Sequence, residues 1–227
     1  RNGHGSGLTA RRYMNRMTYT PKSEYIVTSE QSLIDLVGTP SPLIADKETP
    51  YVTPLVQEFI EKSPYFLLAT AAEDGSCDCT PRGDPAGSLV AFLDERTLVF
   101  ADRKGNRRVD SMRNILQNPY IGMLFLVPGT DETVRVNGKA TISTDPDLCD
   151  RLSVQGKPAT LVVIVAIEEV FTHCARSILR SKIWEPDTWP DTDTIPTLMA
   201  MLSEQKNLTP PDESQGKRNE DYRKVLY

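Results

Sequence analysis

The 227-residue chain predicts a mainly β, α+β fold: a small antiparallel barrel, closed or split, with flanking helices. Three observations carry this. Strand signals from Tyr65 onward come as short hairpins, beginning with apolar Tyr65 to Ala72, the Glu73-Asp74-Gly75 turn and a partner strand from Ser76. Residues 134–142 alternate, with Val134, Val136, Gly138, Ala140 and Ile142 on one side and Arg135, Asn137, Lys139 and Thr141 on the other, as in a half-buried antiparallel strand. The strands come mostly in short hairpins with one helix inserted between them, and the regular strand–helix alternation of a parallel sheet is missing.

The elements follow in order. Thr28 or Ser29 caps a short helix with Leu33, Ile34 and Val37 on one face and Gly38 as its stop. A Pro-rich loop follows, and Thr53 caps a second helix with Pro54 at its first position, where the missing N–H costs nothing. After the first hairpin, Pro81 and Gly83-Asp84-Pro85 end the partner strand at Thr80. Ser88 to Leu93 and Thr97 to Ala101 form another hairpin. Asn106 caps a helix over Arg107 to Gln117 with Val109, Met112, Ile115 and Leu116 as its apolar side, and Asn118-Pro119 stops it. Tyr120 to Val127 is a strand, and Pro146 opens a short helix. Thr160 to Ile167, apolar on both faces, must be covered twice, by a helix or by a partner subunit. A further helix spans Thr197 to Lys206. Three regions result: an N-terminal extension with a short helix (1–50), a barrel domain (51–184) and an acidic, helical C-terminal extension packing on the barrel (185–227).

Composition narrows function. No stretch approaches the ~18 uncharged apolar residues of a membrane span, and 39% hydrophobic residues are too many for a disordered chain. Four cysteines are too sparse for a disulfide scaffold, and with no signal peptide a reducing, cytoplasmic setting is expected. A net charge of −5 disfavours nucleic acid and anionic membranes as partners. The distribution is more telling. Residues 96–113 hold six basic residues against two acidic, whereas nine acids face five bases from Ile183 onward. One compact basic segment on an acidic protein suits a small anionic ligand. The glycine-rich start, Arg1 to Gly7, has no leading strand and reads as a flexible end, not as a phosphate loop.

Phe100 to Arg113 is the sharpest signal. It places a strand end, a tight polar loop and a helix N-terminus in succession, with Arg103, Lys104, Arg107 and Arg108 around the junction. A helix N-terminus suits phosphate, and arginines in a first turn run against helix electrostatics unless an anion sits there; the competing reading is a solvated basic loop. Arg82 either pairs with Asp84 at the surface or reaches a ligand on the barrel rim. Arg135 and Asn137 belong to an outward polar face. Arg176 and Arg180 share a helix face, and Lys182 and Trp184 follow: aromatic plus basic groups suit a planar anionic cofactor, or Trp184 packs on its own core. His173-Cys174 and the Cys77/Cys79 pair are too thin for thiol catalysis or a metal, so no metal is expected.

In order and spacing, Thr80-Pro81-Arg82-Gly83-Asp84, Phe100 to Ser111, Asn118-Pro119 and Glu132 to Gly138 resemble the pyridoxamine 5′-phosphate oxidase-like FMN-binding split-barrel family. The resemblance covers about Val52 to Trp184. It is closest to a branch with a PRGD segment and a terminal RSK-W segment, matched here by Arg180-Ser181-Lys182 and Trp184. It implies a six-stranded antiparallel split β-barrel and a homodimer with two FMN sites at the subunit interface. It also implies roles: Ala101 and Asp102 beside the flavin; Asn106, Arg107 and Arg108 at the FMN phosphate, with Arg82 reaching toward it; Arg180, Ser181, Lys182 and Trp184 reaching the cofactor from the other subunit. Arg103 is counted with the cofactor-binding residues, and backbone N–H groups near Arg82-Gly83 are expected to stabilise reduced flavin. The implied activity is an FMN-dependent oxidoreductase that moves a hydride through flavin N5, with NAD(P)H or another small-molecule reductant. The Arg-x-His pair that engages pyridoxamine phosphate in the true oxidase is replaced by Arg180-Ser181-Lys182, so that oxidation is not expected. A non-catalytic flavin- or haem-binding protein and a deazaflavin-dependent reductase are the alternatives.

Overall fold

The computed structural model describes residues 19–209, 215–224 and 226–227, so the reading of Arg1 to Gly7 lies outside the described residues. The chain divides into two compact units at Ala45/Asp46. In the first, α1 (Glu30–Val37) starts at Ser29, whose side chain accepts from the Ser32 N–H, and stops at Gly38 with φ 83°. The short α2 (Pro42–Ala45) follows.

The second unit is built on one sheet. α3 (Pro54–Lys62) opens it with Pro54 in its first turn, although the Thr53 side chain makes no cap bond. Then come β1 (Tyr65–Ala71), β2 (Cys77–Gly83), β3 (Val90–Asp94), β4 (Thr97–Ala101), α4 (Asp110–Gln117), β5 (Tyr120–Leu126), β6 (Thr133–Ser143), α5 (Pro146–Arg151) and β7 (Val162–His173). α6 (Arg176–Ser181), α7 (Leu198–Lys206) and α8 (Gln215–Arg223) complete the described α-helices.

The expected six-stranded split barrel is not what forms. The strands make a single seven-stranded sheet, ordered β2-β1-β5-β6-β7-β4-β3, with every neighbouring pair antiparallel. No ladder joins β2 to β3, so the sheet is not closed. Part of the reason is local. β2 does not stop at Thr80 but runs through Pro81, which pairs opposite Leu67. A proline has no N–H to offer a further strand, and such residues are confined to sheet edges.

The open sheet is nevertheless strongly curled. Phe66 of β1 and Phe100 of β4 pack edge to face with ring centroids 5.2 Å apart. With three strands between them, four spacings of a flat sheet would separate them by ~19 Å. The central β6–β7 ribbon produces the curl. β5 pairs with the Thr133–Lys139 half of β6, and β4 pairs with the Val162–Ala166 half of β7, so the two outer arms leave from opposite ends. Between those halves the register slips, with Asn137 opposite Glu169 but Gly138 opposite Ile167. An extra residue on one strand bends it and increases its twist. Gly138 is required there, because a Cβ on it would lie 2.2 Å from the Ala166 carbonyl oxygen.

Curling encloses one large core, to which Phe66, Phe100, Phe125, Val136 and Val163 contribute from the sheet, Ile60 from α3, and Met112 and Ile115 from α4. A second cluster covers the other face of β4 and β7, where Val99, Ala101 and Val162 meet Cys149 and Leu152 around α5. The doubly apolar strand therefore takes its second cover from a helix of its own chain. That strand also extends six residues beyond Ile167, because partners on β6 receive its two glutamates: Lys139 pairs with Glu168 at 2.9 Å, and Arg135 and Asn137 bind Glu169.

At the far end of β7, His173 is held below its ordinary value near 6.5 by burial first, and then by the nearby charges of Arg135 and Lys47. The unfolded chain therefore binds the proton more readily than the folded one. His173 costs no stability above its unfolded value, and the fold weakens as pH falls from there through the lower folded value. His173→Gln is expected to flatten the acid side of a thermal-melting profile between about pH 7 and 5; an unchanged profile would exclude the histidine as its source.

Candidate functional site

The curl brings the edge strand β2 against the segment that leaves β4. Two ion pairs bridge this seam, and each crosses between the two arms. Arg82 donates through Nη1 to Asp102 at 2.7 Å, and Arg103 donates through Nε to Asp84 Oδ2 at 2.7 Å. The Arg82–Asp84 pair considered from the sequence is thus replaced by a crossed arrangement. Asp84 is the most buried member, with 3% of its side chain exposed. Each guanidinium is only partly engaged. Arg82 Nε and Arg103 Nη2 are buried and have no hydrogen-bond partner, a cost of about 1–3 kcal/mol for each orphaned donor.

Both arginines line a cavity of about 890 Å³ and a smaller adjoining one of about 240 Å³. The large cavity runs from Thr80–Arg82 along the loop Asp102–Val109 to the start of α4, and its far wall is Lys157–Leu161 with Tyr227. Gly83 and Ala101 line the smaller one. Of the residues named from the sequence, Arg82, Gly83, Ala101, Asp102, Arg103, Asn106, Arg107 and Arg108 are therefore brought together. Arg180, Ser181, Lys182 and Trp184 are not. Trp184 Nε1 donates to the Thr130 carbonyl at 2.9 Å, beside the Thr133 end of β6, while the cavity lies by Leu161 at the Val162 end of β7.

The loop itself departs from expectation. α4 begins at Asp110, three residues later than predicted, so Arg107 and Arg108 precede the helix and do not occupy its first turn. Asn106 does cap a turn, but its Oδ1 accepts from the Arg108 N–H two residues on, at 3.0 Å. Arg107 (φ 61°) and Val109 (φ 50°) then take left-handed conformations. Such backbone is disfavoured for a β-branched residue, at a cost of order 1–3 kcal/mol, and persists where surrounding structure imposes it. The helix is anchored behind the loop. Ser111 donates to Asp78 at 3.1 Å and lies 3.1 Å from the Thr80 hydroxyl, and Asn114 donates to Thr70 at 2.9 Å. Thr70 in turn donates to Asp78, which closes the network between α4 and the β1–β2 hairpin.

The far wall has no local signal in the sequence. The Tyr227 hydroxyl donates to Asp84 Oδ1 at 3.0 Å, Lys157 Nζ donates to the Tyr227 main-chain oxygen at 2.8 Å, and the Arg103 guanidinium lies 5.9 Å from the ring centroid. Burial pushes the Tyr227 hydroxyl above its usual range; the hydrogen bond to Asp84 and that carboxylate's charge add to this, and Arg103 partly opposes it. Lys157 and Tyr227 lie 54 and 124 residues beyond Arg103, so only the fold joins them to it. The four cysteines are free thiols, with Cys77, Cys79 and Cys174 exposed. No metal-binding group of His, Cys, Asp or Glu and no helix long and apolar enough to cross a membrane occurs among the described residues.

Chemically, the cavity joins positive charge (Lys104, Arg107, Arg108, Lys157) to two oriented guanidiniums held by carboxylates. Charge-assisted, oriented donors of this kind suit a phosphate or a comparable anion.

The profile of the family described as pyridoxamine 5′-phosphate oxidase matches residues 52–174, which run from α3 to the end of β7. No curated protein matches. Among solved structures, HupZ of Group A Streptococcus is 18% identical with a TM-score of 0.45, covering 54% of this chain and 99% of its own. A putative pyridoxamine 5′-phosphate oxidase from Lactobacillus delbrueckii is 26% identical with a TM-score of 0.41, covering 54% and 95%. A pyridoxamine 5′-phosphate oxidase-related, FMN-binding protein from Nostoc punctiforme is 13% identical with a TM-score of 0.39, covering 55% and 85%.

Proposed function

The chain belongs to the pyridoxamine 5′-phosphate oxidase family, and from that premise we propose that it is an FMN-binding oxidoreductase whose cofactor phosphate rests against the loop after β4. The observation that carries this reading is the pair of buried guanidinium nitrogens, Arg82 Nε and Arg103 Nη2, left without acceptors on two side chains that line the cavity. An anionic oxygen there supplies what the fold leaves missing. FMN, when bound, supplies a two-electron carrier that takes or gives a hydride at flavin N5.

The chain's own contribution is binding and orientation. Asp102 and Asp84 fix the two arginines, so they meet an anion already positioned and lose little side-chain entropy on binding. Lys104, Arg107 and Arg108 are more exposed and add longer-range attraction. Ala101 and Asp102 wall the cavity where β4 ends. Arg180, Ser181, Lys182 and Trp184 reach a site only from a second copy of the chain, which fits a homodimer with its sites at the interface. The reductant is NAD(P)H or another small molecule. The substrate is other than pyridoxamine phosphate, since Arg180-Ser181-Lys182 carries no histidine.

Titration of the purified chain with FMN, followed by flavin absorbance near 375 and 450 nm, tests the reading. Failure to bind FMN, with a deazaflavin or haem bound instead, would replace it. Arg107→Ala is expected to weaken FMN by about 1.5–3 kcal/mol if the side chain makes a charged hydrogen bond. Unchanged affinity would remove Arg107 from the site.

A further inference from the structure

The network that anchors α4 ends at the cavity, and its hydrogens can be counted. Thr70 and Ser111 are almost fully buried, at 4% and 2% exposure, so their hydroxyls depend on partners within the protein. A hydroxyl has one hydrogen to give. Thr70 gives its own to Asp78 Oδ1 and accepts from Asn114 Nδ2, and Ser111 gives its own to Asp78 Oδ2. The 3.1 Å contact between the Ser111 and Thr80 hydroxyls therefore runs one way, with Thr80 as the donor. Thr80 is half-buried and lines the cavity. With its hydrogen spent, its hydroxyl has only lone pairs to offer a ligand. That sets it apart from the rest of the wall. Arg82, on the same face of β2 and ~6.7 Å further along the strand, offers only donors, as do Arg103, Lys104, Arg107 and Arg108.

We propose that Thr80 is a specificity-determining residue of this cavity, an acceptor that selects ligands carrying a hydroxyl or N–H several bonds away from their anionic group. A phosphate oxygen meets lone pairs at Thr80 and donors at the arginines, so the two poles set the direction in which the ligand lies. Asp78 is a positioning residue, because it takes the Ser111 hydrogen and so obliges Thr80 to spend its own. The ribityl phosphate of FMN carries the required pair of groups. That choice of ligand rests on the flavin reading, whereas the polarity of Thr80 rests on the hydrogen count.

Calorimetric titration of the full chain, without cofactor, with 4-hydroxybutyl phosphate and with its methyl ether tests this, since the ether accepts a hydrogen bond but cannot donate one. The alcohol is expected to bind about fivefold more tightly than the ether. Thr80→Val should bring that ratio to about one, and Thr80→Ser should keep it. The amide of Asp78→Asn can donate to Ser111 and release the Thr80 hydrogen, so this variant should bring the ratio to about one by tightening the ether. A ratio near one in the unaltered protein, or a preference that survives Thr80→Val, would overturn the proposal. A preference that survives Asp78→Asn would overturn the role of Asp78. Binding of neither compound would overturn the anion site and the proposal with it. The expected ratios in a protein that does not bind FMN would keep the proposal and overturn the flavin reading; FMN binding with no preference would do the reverse.

Discussion

Gly138→Ala is expected to destabilise the protein by about 3 kcal/mol or more, read as a fall in the urea midpoint. The new Cβ would lie 2.2 Å from the Ala166 carbonyl oxygen and 3.1 Å from its carbon. Both are backbone atoms of the adjacent strand, so no side chain can swing aside, and relief requires moving the register slip itself. Gly122→Ala is the control. Its Cβ would meet Asn137 Oδ1 at 3.2 Å, the end of a side chain that can shift by a few tenths of an ångström. A Gly138→Ala protein as stable as Gly122→Ala would mean that the bulge is not where the ribbon turns.

Arg103→Ala is expected to cost about 3 kcal/mol of stability and most of the FMN affinity. Removing one partner of a buried pair leaves an uncompensated charge, at about 3–5 kcal/mol, and the lower end applies because the Tyr227 hydroxyl still donates to Asp84. The two losses separate in the double variant Arg103→Met, Asp84→Leu. With both charges gone, well-packed apolar groups should restore much of the stability, while FMN stays weakly bound. Recovery of FMN binding in the double variant would show that Arg103 acts only on the fold.

Much of this architecture was legible in the residues. Ser29, Pro54, Glu73-Asp74-Gly75 and Thr197 act locally, and each starts or stops an element where its chemistry requires. Closure was not legible, because it depends on which strands fail to meet. Pro81 marks an edge, but only the assembled order shows that the opposite edge lies elsewhere. The start of α4 was misplaced for a different reason. Asn106 makes the bond expected of a cap, yet two left-handed residues follow before the helix forms, and no propensity favours Val109 there. Within the site, the arginines stood out by their density in one short segment. Their carboxylate partners proved crossed, and Lys157 and Tyr227 carry no mark in their own neighbourhoods.

An open sheet carries a hazard that a closed cylinder escapes: its border strands can recruit further chains and grow into aggregates. Both borders here are poor templates. β3 is five residues long and slips register between Phe92 and Asp94, and β2 is interrupted by an imino acid halfway along. Polymerisation by strand addition is discouraged at either margin.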